Sequence, residues 1–179
     1  FLIGLFIAAA AAGASVSAEE NGKMALRVLL RRLNVGQHMD IKTGSLYLLT
    51  GENGTEMLLQ PDTQISVELR ENRMVVFLNS ASLSFGKTVA LNRCGAGGQD
   101  AGLYLMNASG LYPGNLMLTV EDGKIRPVMS LAVEDYLLGV VPYEMNDSFP
   151  TEALKAQAVC ARTYAVRHMN RTRDYDVVD

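Results

Sequence analysis

One glutamate of this 179-residue chain has a setting that could support acid–base chemistry. Glu144 lies between two segments of helical character, with Tyr143 and Met145 beside it and Phe149 close by. A carboxyl group among apolar side chains resists losing its proton, which is what a general acid working near neutral pH requires. The alternative is an ordinary solvated loop glutamate, and the residues alone favour that alternative.

The other carboxylates near Glu144 have simpler explanations. Glu152 falls in the first turn of a predicted helix, where the helix dipole favours a negative charge. Glu134 and Asp135 fit a solvated helix face. A two-carboxylate glycosidase would need a partner for Glu144 at a defined separation, which sequence does not show.

A second group of candidate residues shares one face of a predicted C-terminal helix. Gln157, Ala161, Tyr164 and His168 follow i, i+4, i+7, i+11 spacing. Such a polar and aromatic stripe could line a sugar-binding groove. A solvated or half-buried helix side is the alternative.

The region that precedes these residues has the pattern of a strand-rich body. Residues 24–130 contain short apolar runs separated by Gly, Asn and Asp. Asn53-Gly54 and Asp122-Gly123 each predict a hairpin turn.

Two helices are predicted beyond residue 130. Residues 131–138 contain helix formers, with Ser130 available as an N-cap and Gly139 as a stop. Residues 151–169 predict a longer helix after Pro150. Helical spacing predicts its buried stripe: Leu154, Ala158, Ala161 and Ala165. The predicted fold class is therefore α+β, a strand-rich body followed by a helical segment that carries the candidate glutamate.

Composition and charge exclude several kinds of protein. The chain is 49% hydrophobic and 20% charged, which excludes a disordered tail and a collagen-like repeat. A net charge of −3 argues against a general nucleic-acid binder. Two Cys and two His supply neither a four-thiolate nor a three-His metal site. No cofactor is expected, and a Cys94–Cys160 disulfide is not favoured, since a small buried thiol fits Cys160 within the helix.

The first 18 residues have the character of an export signal. Residues 1–14 are apolar and uncharged, and Val16 and Ala18 fit the −3 and −1 positions of a signal-peptidase site. No basic n-region precedes them, and we expect the chain to be truncated at both ends. A cleaved signal peptide and an uncleaved signal anchor both remain open, with a buried Ala-rich helix as the alternative. Either signal predicts an extracytoplasmic protein, secreted or anchored in the membrane.

Residues 131–166 resemble the stage II sporulation protein D / LytB family (SpoIID/LytB). The resemblance rests on an ordered series of pieces: Glu134-Asp135-Tyr136-Leu137, Gly139-Val140-Val141, Glu144-Met145, Pro150, EALKAQA at 152–158 and ARTYA at 161–165. It implies that residues 24–179 form a SpoIID/LytB-like domain, truncated at its C-terminal end.

The resemblance implies a peptidoglycan lytic transglycosylase. Such enzymes of the family cleave the MurNAc–GlcNAc bond of glycan strands, prefer strands stripped of stem peptides, and leave a 1,6-anhydro-MurNAc end. The family's catalytic glutamate falls on Glu144, which would act as general acid and then general base. Tyr143, Gln157, Arg162 and Tyr164 are weaker candidates for holding the sugar.

The resemblance also implies partners and an alternative function. The expected partners are peptidoglycan strands, a cell-wall amidase and a membrane engulfment complex. Nucleic acid is not an expected partner. The alternative is a non-catalytic, wall-binding modifier of an N-acetylmuramoyl-L-alanine amidase, as described for the LytB branch. An export or adhesion domain without wall chemistry would leave residues 131–166 unexplained. Asn146 departs from the family's usual Pro, and Val178 stands where some members place a zinc-binding Cys, so no metal is expected.

Overall fold

A computed structural model of the chain describes residues 19–20, 23–95, 101–105 and 108–179. The predicted export signal at residues 1–18 lies outside these residues. Among the helices described, none is long and apolar enough to cross a membrane.

The described part of the chain contains fourteen strands and two helices. In chain order they are β1 (Glu19–Glu20), β2 (Lys23–Leu29), β3 (His38–Thr43), β4 (Tyr47–Gly51), β5 (Glu56–Leu59), β6 (Gln64–Arg70), β7 (Arg73–Leu78), β8 (Ala81–Gly86), β9 (Thr88–Arg93), β10 (Leu103–Leu105), β11 (Leu111–Tyr112), β12 (Asn115–Glu121), β13 (Lys124–Ala132), α1 (Val133–Glu144), α2 (Thr151–His168) and β14 (Val177–Val178).

The strands form two sheets. The first has the order β1-β2-β13-β12-β9-β4-β5, with β14 added in parallel beside β2. The second has the order β11-β10-β3-β6-β7-β8 and is antiparallel throughout. The α+β prediction of a strand-rich body followed by a helical segment is confirmed.

Both predicted hairpins are confirmed. Asn53-Gly54 lies in the turn between β4 and β5, and Gly54 has a φ of 78°. Asp122 and Gly123 join β12 to β13 with φ values of 50° and 70°. Gly, Asn and Asp adopt such left-handed conformations more readily than other residues, so the local sequence selects these turns.

A single hydrophobic core lies between the sheets. Ile65 and Val67 of β6 are fully buried, while Ser66 and Glu68 between them are only half-buried, as the alternation predicts. The buried Tyr47 hydroxyl donates a hydrogen bond of 2.7 Å to the carbonyl of Gly114, which satisfies the one polar atom of a large core side chain. Both sheets contribute to this core and are therefore held together by it.

The first helix begins and ends later than the sequence predicts. β13 continues to pair with β2 as far as Ala132, so the strand-rich body extends two residues beyond the predicted boundary. Ser130 is buried within β13 and is not an N-cap; Ala132 caps α1 without a side-chain hydrogen bond. The predicted stop at Gly139 was also wrong, because packing of α1 against α2, β2 and β13 outweighs the low helix propensity of glycine.

Pro142 lies inside α1, two residues before its end. A proline there removes the N–H that would bond to the Leu138 carbonyl and crowds that carbonyl, so packing of α1 against α2 and the sheet must offset this local cost. The helix therefore continues to Glu144 and places that residue at its C-terminal end.

The first helix covers one face of two adjacent strands of the larger sheet. α1 packs against β2 and β13, and residues 25–30 and 128–133 are buried without interruption. A continuous buried run is expected where both faces of a strand are covered. The second helix follows the predicted bounds closely, from Thr151 to His168. Of the predicted buried stripe, Ala161 and Ala165 are buried, whereas Leu154 and Ala158 are only half-buried.

Candidate functional site

Glu144 is the last residue of α1 and its side chain is exposed. Its neighbours do not enclose it, since Tyr143 is 73% exposed and Phe149 is 49% exposed. The apolar pocket considered around Glu144 is therefore not present, and the solvated setting that the residues alone favoured is observed, because the end of α1 and the start of α2 both reach the protein surface. The glutamate lies instead at the edge of an open groove.

Gln157 holds the carboxyl group of Glu144. Its Nε2 donates a hydrogen bond to Oε2 of Glu144, from the second turn of α2 to the last residue of α1. Gln157 is itself half-buried, so its amide has a restricted position. The packing of the two helices thus restrains the orientation of an otherwise exposed carboxylate.

The groove has a volume of about 1650 Å³ and is lined by both helices, the end of β2, the segment 108–113 and the C-terminal strand. Four of the five predicted site residues line it: Tyr143, Glu144, Gln157 and Tyr164. Pockets for small ligands usually have volumes of about 300–1000 Å³. An open groove of this size suits an extended polymer.

Tyr136 is a groove residue that sequence reasoning did not single out. It is half-buried, and burial raises the pKa of its phenol, as do the charges of Glu144 and Tyr164. The phenol therefore keeps its proton at neutral pH and can donate a hydrogen bond. The signal that would have found it is the helical spacing of Tyr136, Val140 and Tyr143, all of which line the groove.

Tyr164 extends the aromatic lining along α2. It is 55% exposed, and its ring stacks on that of His168 with centroids 4.0 Å apart. Nδ1 of His168 lies 2.8 Å from the Tyr164 carbonyl oxygen. The predicted shared face is thus present, although His168 is not among the residues that line the groove.

Arg162 lies apart from this group. Its Nε and Nη2 donate to the two carboxylate oxygens of Glu134 at 2.8 and 2.7 Å. This bidentate pair joins α2 to the start of α1 and is not part of the groove lining. Glu152, the other exposed carboxylate considered above, pairs with Lys155 at 2.8 Å.

Cys160 is exposed, free and part of the groove lining, so the prediction of a buried thiol was wrong. Cys94 is also free, so the two cysteines do not form a disulfide. Within the residues that the structure describes, no group of three or more His, Cys, Asp or Glu side chains is arranged to hold a metal ion.

A buried ion pair holds the chain after α2 against β2. The carboxylate of Asp176, fully buried, lies 2.8 Å from Nη2 of Arg27 in β2. It also accepts the backbone N–H groups of Arg27 and Asn170 at 2.9 and 2.8 Å. Burial raises the pKa of Asp176, but these hydrogen bonds and the positive charge of Arg27 outweigh it and leave the pKa below its usual value. The pair fixes the segment that follows α2.

The site lies in the part of the chain that has recognisable relatives. The SpoIID family model, described as Stage II sporulation protein, matches residues 121–179. No solved structure is significantly similar to the chain.

Three relatives match shorter segments. An uncharacterized protein of Brachyspira hyodysenteriae is 50% identical over 58 residues, which are 32% of this chain and 16% of that protein. Stage II sporulation protein D of Bacillus subtilis is 52% identical over 42 residues, 24% of this chain and 12% of the relative. Stage II sporulation protein D of Bacillus amyloliquefaciens is 46% identical over 57 residues, 29% of this chain and 17% of the relative.

The matched segments thus span less than a fifth of each of these relatives. The family match nevertheless includes both helices and the bonded pair Glu144 and Gln157, and it confirms the resemblance seen in the sequence. The likeness to the SpoIID family thus covers residues 121–179, about a third of the chain.

Proposed function

We propose that this protein is a peptidoglycan lytic transglycosylase in which Glu144 is the general acid and base. The match of residues 121–179 to the SpoIID family suggests a function related to sporulation and the cell wall. The observation that carries the finer proposal is the carboxyl group of Glu144, held by Gln157 at the edge of a large open groove.

The proposed reaction uses one carboxyl group twice. Protonated Glu144 donates its proton to the glycosidic oxygen as the bond between C1 of MurNAc and that oxygen breaks, and GlcNAc leaves with a free hydroxyl. The C6 hydroxyl of the same MurNAc then attacks C1 and transfers its proton to the Glu144 carboxylate. The products are a 1,6-anhydro-MurNAc end and a regenerated acid, so the second carboxylate of a two-carboxylate glycosidase is not required.

The groove supplies the groups that this reaction needs around the sugar. Tyr143 and Tyr164 present exposed aromatic rings, which can pack against the apolar faces of sugar rings. Gln157 restrains the carboxyl group, and Tyr136 offers a protonated phenol beside it. Because the carboxyl group is held near the scissile bond, the proton transfer becomes effectively unimolecular.

The location and partners follow from the same proposal. Peptidoglycan lies outside the cytoplasm, in agreement with the export signal predicted at residues 1–18. An amidase that removes stem peptides would act before this enzyme, and a membrane engulfment complex would place it in a sporulating cell. Nucleic acid has no part in the proposal.

The test is the product formed from stem-peptide-free glycan strands. Wild-type protein should release fragments with anhydro-MurNAc ends, detected by mass spectrometry. Glu144→Gln should lower the rate by about 100- to 10,000-fold, the usual contribution of a general acid–base group. Glu152→Gln is the matched control, because Glu152 is an exposed carboxylate that pairs with Lys155 outside the groove.

Two results would contradict the proposal. Equal rates for wild type and Glu144→Gln would remove Glu144 from the chemistry. Absence of cleavage by the wild-type protein, with binding to glycan retained, would favour the amidase-modifier alternative.

A further inference from the structure

Arg32 differs from the other cations that lie over aromatic rings in the described residues. Its guanidinium carbon is 4.8 Å from the centre of the Tyr143 ring. Three other cations make such contacts, and each also pairs with a carboxylate: Lys42 with Asp62, Arg70 with Glu68, and Arg126 with Glu121. Among the residues described, no carboxylate forms an ion pair with the Arg32 guanidinium.

The backbone of Arg32 is fixed although its side chain is exposed. Its N–H donates to Oδ1 of Asp179 at 3.0 Å, and the N–H of Asp179 donates to the Leu29 carbonyl at 3.2 Å. The ring of Tyr143 then limits the directions that the guanidinium can take. Arg32 is thus a restrained cation whose N–H donors have room for a ligand.

The position of Arg32 relates it to the candidate catalytic residue. Arg32, Tyr143 and Glu144 all line the same groove, and Tyr143 is the residue that precedes Glu144. A ligand group bound by Arg32 would therefore lie near the sugar whose glycosidic oxygen Glu144 protonates. A planar guanidinium favours a planar anion that accepts two parallel hydrogen bonds, and a carboxylate is such an anion.

We propose that Arg32 binds the lactyl carboxylate of a MurNAc residue and is the group through which the groove distinguishes stripped from peptide-bearing strands. This inference rests on the proposed function. In a substituted strand the lactyl carboxyl group forms an amide with the peptide and carries no charge. Once the peptide is removed, each MurNAc has a free carboxylate, which is the only anionic group of the glycan repeat.

The test separates binding from cleavage. Binding is measured by calorimetry with Glu144→Gln, which does not consume its ligand, using stripped strands and the same strands with their carboxylates converted to methylamides. Stripped strands should bind about tenfold more tightly, as expected for a charge-assisted hydrogen-bonded pair at an exposed site. Adding Arg32→Gln should reduce this preference to less than twofold, while Arg32→Lys should keep part of it.

Arg31→Gln is the matched control, because Arg31 is a neighbouring exposed arginine that does not line the groove. It should leave the tenfold preference intact. A preference that survives Arg32→Gln, or equal binding of the two kinds of strand, would overturn the inference. Arg32-dependent binding without turnover by the wild-type protein would instead support the carboxylate site and overturn the enzyme proposal.

Discussion

The strand-rich body and the helical segment bury their side chains to very different extents. The twelve largest fully buried side chains all lie in strands, between Leu26 and Leu116. By contrast, α1 buries only Val133 and Leu137, and α2 buries only Ala161 and Ala165. The body therefore supplies most of the hydrophobic stabilisation, and the helices depend on it for their position.

The same comparison explains where chemistry can occur. Among the described residues, six of the ten large hydrophobic side chains that remain exposed lie at positions 138–166, and three of these six line the groove: Leu138, Tyr143 and Tyr164. Apolar groups left in solvent beside polar ones are available to a ligand, whereas those of the body are already packed against each other. The chain thus separates a stable scaffold from a sparsely packed, ligand-accessible surface.

A matched pair of leucine substitutions should give the largest difference between the two regions. Leu49 in β4 is 0% exposed, and Leu138 in α1 is 76% exposed. We expect Leu49→Ala to lower the free energy of unfolding by about 4 kcal/mol through lost burial and a residual cavity. Leu138→Ala should change it by about 0.5 kcal/mol or less. Urea unfolding followed by circular dichroism measures both, and equal effects would show that the regions do not differ in packing.

Breaking the buried ion pair should have the next largest effect. Arg27→Met leaves the buried Asp176 carboxylate without its cation and should cost about 3 kcal/mol. Asp174→Asn is the control, because Asp174 pairs with Arg126 at 3.2 Å from an exposed position and should cost less than about 0.5 kcal/mol. Hydrogen exchange should show the loss concentrated at the segment after α2. Uniform loss of protection across all strands would contradict a local role.

Acid should weaken the helical segment through Asp176. The pKa of this carboxyl group is lower in the folded protein than the value of about 3.9 expected for an unfolded chain. Its stabilising contribution is therefore complete above the unfolded pKa and is lost as the pH falls through the folded pKa. Unfolding free energies measured between neutral pH and pH 2 should decrease below about pH 4. Asp176→Asn should remove part of that decrease, and an unchanged acid dependence in this variant would exclude Asp176 as its source.

The smallest effect expected is a gain in stability within α1. Gly139 lies inside the helix, and a Cβ atom added there would meet no atom within 4 Å. Gly139→Ala should therefore raise the free energy of unfolding by about 0.5–1 kcal/mol, because alanine has fewer backbone conformations than glycine in the unfolded chain. The unfolding transition in urea measures this. A loss of stability would mean that the helix needs the glycine backbone at this position.

Local signals in the sequence predicted the features that depend on a few neighbouring residues. The turns at Asn53-Gly54 and Asp122-Gly123 and the buried alanines of α2 are such features, since backbone conformation and helical period act over short distances. The end of α1 could not be predicted in this way. The low helix propensity of Gly139 indicated a stop, but packing against the other helix and the sheet favoured continuation to Glu144.

The sequence by itself determined the α+β class, the hairpins and the segment resembling the SpoIID family that contains the candidate glutamate. Only the tertiary structure decided which side chains surround that glutamate. Gln157 bonds to it, Arg162 pairs with Glu134 instead, and Arg27 joins Asp176 across 149 positions of the chain. Such contacts depend on how helices and strands that are distant in the chain pack together. They cannot be predicted from the propensity or the residue spacing of single segments.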